Sequence, residues 1–298
     1  MQGNYKFKAR FRPFATGAFI TAIFLLAVTG CSRQMIKQAE ARYGSGKIKE
    51  QYSLKLDSRK KNYVKDGPYT AWYESGGKIK EGSFKDGEAD GMWTRWYENG
   101  QKSKEGAFKA GKPEGVCTEW RENGQKSREG GFKAGKMDSL WIEWHENGQK
   151  SREGAFRAGE REGKWTEWYD NGKKEKEGAF DYGKPAGTWT EWHKNGKKKS
   201  EGGFTGGERE GKWAEWHENG KKKSEGAYHD GKKEGPWTEW YSNGKKREKG
   251  DFGNGREEGK WTFWYPNGTR KSQGAYRAGK PEGPWNFWLE NGKKDSSY

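Results

Sequence analysis

One tryptophan recurs at positions 72, 96, 120, 144, 168, 192, 216, 240, 264 and 288, an interval of 24 residues without a slip. A second recurs at 93, 141, 165, 189, 213, 237, 261 and 285, with Tyr69 and Cys117 in its two vacant slots, and together the series hold all 18 Trp of the chain. Asn-Gly recurs in step from Asn99-Gly100 to Asn291-Gly292, and Phe or Tyr from Phe84 to Tyr276. A fixed period of this kind marks a repeat architecture, here nine full units and a half unit over residues 67–298.

The unit reads as a β-hairpin. Trp165-Thr166-Glu167-Trp168 is aromatic-rich and suits a strand. Asn-Gly after it predicts a two-residue type I′ turn, at Asn171-Gly172, Asn195-Gly196 and Asn219-Gly220 among others. The return strand is Lys-rich and ends in Gly-Ala-Phe, and a Gly-bounded segment leads to the next unit. Gly interrupts every candidate helical window at about 1 kcal/mol each. A two-residue loop sets a register in which Glu98 faces Gln101, Trp96 faces Ser103, and Trp93 faces Gly106, where the missing side chain leaves room for an indole. Glu119 then faces Arg128, Glu143 faces Arg152, and Glu167 faces Lys176, pairs that each contribute roughly 0.2–1 kcal/mol. Later units put Ser200 and Ser224 in the basic slot, and Glu239 faces Glu248.

Composition agrees with a fold that lacks an aliphatic core. The chain has 34% charged residues and a formal charge of +16, with 14 Tyr and 14 Phe beside the Trp. The expected fold class is all-β, an elongated single-layer antiparallel meander of 24-residue hairpin repeats, about 90 Å long at roughly 4.8 Å per strand. In an ideal strand the two Trp of a unit, three residues apart, point to opposite faces. A bulge would bring both to one face, and the pattern leaves that open. Trp96, Trp144, Trp168, Trp192, Trp216, Trp240 and Trp264 are the candidate binding-face aromatics.

Residues 1–31 differ in kind. Lys6, Lys8, Arg10 and Arg12 precede an apolar run from Phe14 to Val28, too short for a comfortable membrane span of about 20 residues. This reads as a secretory signal over residues 1–30. Its removal takes four positive charges and no negative ones from the chain. Residues 31–42 are expected to form a tether and residues 43–66 a degenerate capping unit, because Lys47-Ile48-Lys49-Glu50 echoes Lys78-Ile79-Lys80-Glu81.

Two resemblances follow. Leu26-Ala27-Val28-Thr29-Gly30-Cys31 resembles the bacterial lipoprotein box, which implies lipidation of Cys31, a membrane anchor, and export to the outer membrane or periplasmic face of a Gram-negative envelope. The repeat unit resembles the MORN repeat variant of bacterial proteins labelled YwqK-type antitoxins. That resemblance implies a scaffold for protein or lipid contact, and its label implies a protein that neutralises a toxin by binding.

The residues point to no catalytic chemistry. Ser/His/Asp constellations, paired acids in a pocket and phosphate loops are not discernible in the sequence. His145, His193 and His217 share one slot otherwise held mostly by Tyr, and His193 and His217, on adjacent units, are about 10 Å apart, too far to share a metal. The expectations are no enzyme activity, no cofactor, no metal and no nucleic-acid partner. The leading reading is a lipid-anchored envelope scaffold with a protein partner. The alternatives are an antitoxin or immunity protein, and a ribbon that binds cell-wall glycan or anionic lipid.

Overall fold

A computed structural model describes residues 20–23, 36–57, 59 and 61–295. Most of the expected export signal, and Cys31 with it, lies outside the described residues. Among the described residues every regular element is a strand, and each named pairing is antiparallel between neighbours in sequence. The chain divides into two compact units, Met1–Lys112 and Pro113–Tyr298.

The first unit holds β1 (Ile20–Ile23), β2 (Ile36–Arg42), β3 (Ile48–Asp57), β4 (Asn62–Trp72), β5 (Lys78–Lys85), β6 (Glu88–Trp96) and β7 (Lys102–Lys109). Residues 36–42, expected within a tether, are the strand β2 and pair with β3 from Ile36↔Lys55 to Arg42↔Ile48. The turn between them is built as in the later units, with Tyr43 N–H on the Lys47 carbonyl at 2.9 Å.

The second unit runs through β8 (Lys112–Trp120), β9 (Lys126–Lys133), β10 (Lys136–Trp144), β11 (Lys150–Arg157), β12 (Glu160–Trp168), β13 (Lys174–Asp181) and β14 (Lys184–Trp192). It continues with β15 (Lys198–Thr205), β16 (Glu208–Trp216), β17 (Lys222–His229), β18 (Lys232–Trp240), β19 (Lys246–Gly253), β20 (Arg256–Trp264), β21 (Arg270–Arg277) and β22 (Lys280–Phe287).

The expected register holds in the strand interiors and slips by one at the turn. Trp93 faces Gly106, but Trp96 faces Lys102 rather than Ser103. The reason is the turn type. Tyr97 N–H bonds the Gln101 carbonyl at 2.8 Å and Gly100 N–H returns to Tyr97 at 3.0 Å, so three residues are looped out. Gly100 has φ +86°, while Asn99 keeps an ordinary negative φ. This is a type I turn closed by a left-handed glycine and a bulge, not the type I′ turn expected there. Asn99 Oδ1 accepts the Gln101 N–H at 3.0 Å, which explains Asn in that slot.

The true two-residue type I′ turns lie at the other end, between units. Tyr182 (φ 45°) and Gly183 (φ 77°) connect Asp181 and Lys184, which pair directly. Ala110-Gly111, Ala134-Gly135, Ala158-Gly159, Asp230-Gly231 and Ala278-Gly279 repeat that geometry.

Candidate functional site

The two Trp series occupy different environments. From Trp165 to Glu167 the strand pairs without a shift, Gly154↔Trp165, Glu153↔Thr166 and Arg152↔Glu167, so side chains alternate. The register shifts fall outside this stretch, at Gly163-Lys164 and in the return strand beside Trp168. Trp165 and Trp168 are therefore on opposite faces.

On one face the rings are buried. Trp165 is 3% exposed and Trp261 2%. Each indole lies flat over a glycine of the preceding strand, so close that a Cβ at Gly154 would sit 2.1 Å from the Trp165 ring. Trp165 Nε1 donates to the Ala155 carbonyl at 3.0 Å, beside the two-residue bulge at Gly163-Lys164. Trp93, Trp141, Trp189, Trp213 and Trp261 make the same bond ten residues back. Phe rings stand edge-on between the indoles, with Phe156–Trp165 centroids at 5.1 Å and 88°, and Trp165–Phe180 at 6.0 Å and 82°. Edge-to-face pairs of this kind contribute about 0.5–1.5 kcal/mol each beyond the area they bury. Cations roof the row: Arg161 lies 4.5 Å from the Trp165 centroid and Arg209 4.2 Å from Trp213. A single layer thus builds a core from its own rings and roofing side chains.

The other face is open. The predicted binding-face residues Trp96, Trp144, Trp168, Trp192, Trp216, Trp240 and Trp264 are all here, and all only partly buried. A basic side chain from the preceding return strand hangs over most of these rings. Lys174 lies 5.6 Å from the Trp192 centroid and Lys198 5.2 Å from Trp216. The same lysines are ion-paired along their own strand, Lys174 to Glu177 at 2.6 Å, and Thr166 donates to that carboxylate at 3.3 Å. The hydrogen bond from Lys174, with the other cation Lys164, holds Glu177 below the usual carboxylate range against the opposing effect of burial. Bulge residues on this face point to solvent, Val116 at 63% exposure and Leu140 at 51%.

The histidine slot has a structural role. Tyr169 Oη donates to the Trp192 carbonyl of the next unit at 2.7 Å. His145, His193 and His217 place Nε2 on the equivalent carbonyls of Trp168, Trp216 and Trp240 at 2.7, 2.8 and 2.9 Å. The predicted turn residues add a parallel rung: Nδ2 of Asn171, Asn195 and Asn219 donates to the backbone carbonyls of Lys194, Glu218 and Ser242. Gly172, Gly196 and Gly220 take the left-handed turn position, at φ 78°, 90° and 88°.

Sequence reasoning missed one recurring acid. In most units the residue before the bulge caps the type I′ turn one strand on: Glu114 accepts the Ala134 N–H at 2.7 Å, and Glu162 accepts the Tyr182 N–H at 3.3 Å. The signal was present as a Glu-Gly pair at constant spacing from the next Ala-Gly. Glu210, His229 and Asp230 gather at one of these exposed turns, where Glu210 accepts the Asp230 N–H at 3.0 Å. The hydrogen bond to Glu210, and the acids around it, raise the His229 pKa.

The model of the MORN repeat variant family matches residues 65–86, 89–110, 161–182, 186–205, 209–230, 233–254 and 257–278, together just over half of the chain. No curated protein matches. Among solved structures, the crystal structure of TcdB2-TccC3-TEV is similar at 9% identity and a TM-score of 0.19, over 87% of this chain and 15% of that one. The chain spans a small part of that structure's length. On the repeated family match, in the same frame as the strands and turns described above, the chain belongs to the MORN repeat variant family.

Proposed function

We propose that the chain is a non-catalytic, lipid-anchored envelope scaffold that binds a protein partner through its open face. The observation that carries this reading is the contrast between the two Trp series. One is consumed by the fold, with the ring seated on glycine and, in six members, Nε1 bonded to a main-chain carbonyl, whereas the other repeats half-exposed rings that the fold does not need to bury. Many weak, evenly spaced contacts on one strip add up through effective concentration. Exposed Val116 and Leu140 on the same face favour a protein surface over a sugar polymer. Sugar stacking on the indoles would also require the overlying lysines to move aside, from 5.2–5.9 Å at Trp216, Trp240 and Trp264. An antitoxin or immunity role is the special case in which that partner is a toxin.

The test is crosslinking capture in intact cells with the wild type, Cys31→Ala and a Trp192→Ala/Trp216→Ala variant. One dominant protein, captured by the wild type and lost in both variants, is the expected result. Wall fragments or anionic lipid without a protein would move the assignment to the glycan or lipid alternative.

A further inference from the structure

On the buried-ring face of the second unit, one row of side chains crosses the strands just outside the indoles. Acid and base alternate along it. Glu119 faces Arg128, which lies 2.6 Å away. Arg152 sits between Glu143 and Glu167, at 3.6 and 3.2 Å. Lys176 follows, 3.3 Å from Glu191. The alternation then fails. Ser200 faces Glu191 on one side and Glu215 on the other, and Ser224 faces Glu215 and Glu239.

The bases are displaced rather than lost. Lys199 reaches Glu191 Oε2 at 3.4 Å and Lys223 reaches Glu215 Oε2 at 3.0 Å, both from the turn side of the row. Glu215 is thus an acid with a serine on both flanks. Among the described residues its only ion pair is with Lys223, through Oε2. Ser200 and Ser224 are 9% and 5% exposed, and neither hydroxyl has a hydrogen bond among the described residues.

A half-open cavity of about 360 Å³ lies beside Ser200. Glu191, Glu215 and Glu218 supply its acids, His193 and His217 wall its turn side, and Lys199, Lys223 and Arg209 line it as well, beside Trp216. The imidazoles are fixed, since each Nε2 is held on a main-chain carbonyl.

We infer that this cavity receives the guanidinium of an arginine from a partner protein, in the place the chain's own Arg152 fills between Glu143 and Glu167. The fold supplies the precedent: the same row holds a basic head beside glutamate two strands earlier, at Lys176, and four strands earlier, at Arg152. Arginine fits better than lysine because its planar fork can engage two carboxylates and the serine hydroxyl together and is weakly hydrated. An anion meets a carboxylate on either side, and Lys199 and Lys223 are already engaged with those carboxylates. Ser200, Glu191 and Glu215 are on the face opposite the half-exposed Trp row, and of that row Trp216 also borders the cavity.

The experiment titrates acetyl-arginine amide into the purified full chain and follows backbone amide shifts by NMR. Saturable shifts at Ser200 and Glu215 are expected. In Glu215→Gln, which keeps the shape of the cavity, affinity should fall about tenfold, the weight of one charge-assisted hydrogen bond. In Ser200→Arg the chain's own guanidinium should fill the cavity and abolish the shifts. Absence of saturable shifts, equal affinity in Glu215→Gln, or the same shifts produced by acetate or phosphate would each overturn the assignment. Because the probe is a single amino-acid derivative, the result does not depend on capture of a cellular partner through the open face.

Discussion

A methyl group added at Gly178 would lie 2.1 Å from the Trp189 ring, whereas one added at Gly163 meets nothing within 4 Å but must adopt φ +64°. These two glycines separate steric from conformational demand. Gly178→Ala should cost about 2–3 kcal/mol, as overpacking does in a filled core. Gly163→Ala should cost roughly 1 kcal/mol, the penalty of a left-handed L-residue. Denaturant midpoints of the two variants measure the difference. Ser139 runs the second experiment in reverse. It holds φ +68° in a slot where the other described units have glycine, so Ser139→Gly should raise stability by about 1 kcal/mol. Glu248 supplies a pH signature. Burial first, and then Glu239 directly across the strand, raise its pKa against the pull of Arg247 and Lys233. The folded state therefore holds this proton more tightly than the unfolded one. Stability from this group is present below the ordinary carboxylate range near pH 4.3 and is lost as pH rises through the raised folded value. Glu248→Gln should flatten that slope and stabilise the chain at neutral pH. Equal pH profiles for variant and wild type would refute the assignment.

At the scale of the element, each hairpin is completed by its neighbour. Tyr169 and Asn171 reach forward to the next unit's carbonyls, and Glu162 caps the next two-residue turn. Tyr169→Phe should therefore cost about 1 kcal/mol through one orphaned carbonyl, with His145→Phe comparable and the other turns untouched. Amide exchange at Trp192 and Lys194 is the local readout. Strand positions, the facing of Trp93 on Gly106 and the Glu119–Arg128 pairing were legible in the sequence because period, charge and side-chain size agreed there. The turn types were not. Asn-Gly is favoured both in a type I′ turn and at the end of a three-residue loop, and only the position of the positive φ separates the two. Ala-Gly and Tyr-Gly carry no comparable signal, since Ala and Tyr gain nothing from a left-handed backbone. They hold it because the fixed strand spacing and a capping acid impose it. Which Trp series is buried was readable in principle. Only the series from Trp93 lies beside glycine on both neighbouring strands, and the glycine of the preceding strand, not the one across the Asn-Gly turn, is the seat of the ring.

For the whole molecule, interactions run between neighbours, so stability should behave as a sum over units and their junctions. Excising residues 184–207 joins Gly183 to Glu208, which begins its strand as Lys184 does after that turn. The shortened chain should fold with an unchanged β-sheet circular dichroism spectrum per residue and a denaturant m-value reduced in proportion to length. A collapsed spectrum would show that the units are not interchangeable. Insertion should behave otherwise. Both ends of every hairpin are stacked on the adjacent turn by side-chain and main-chain bonds, so a residue added in either loop breaks contacts on two sides at once. A coding sequence under this constraint can lengthen or shorten only by whole repeats, through unequal exchange between near-identical copies. The number of units is then the trait free to vary among related genes, while the length of each unit is not.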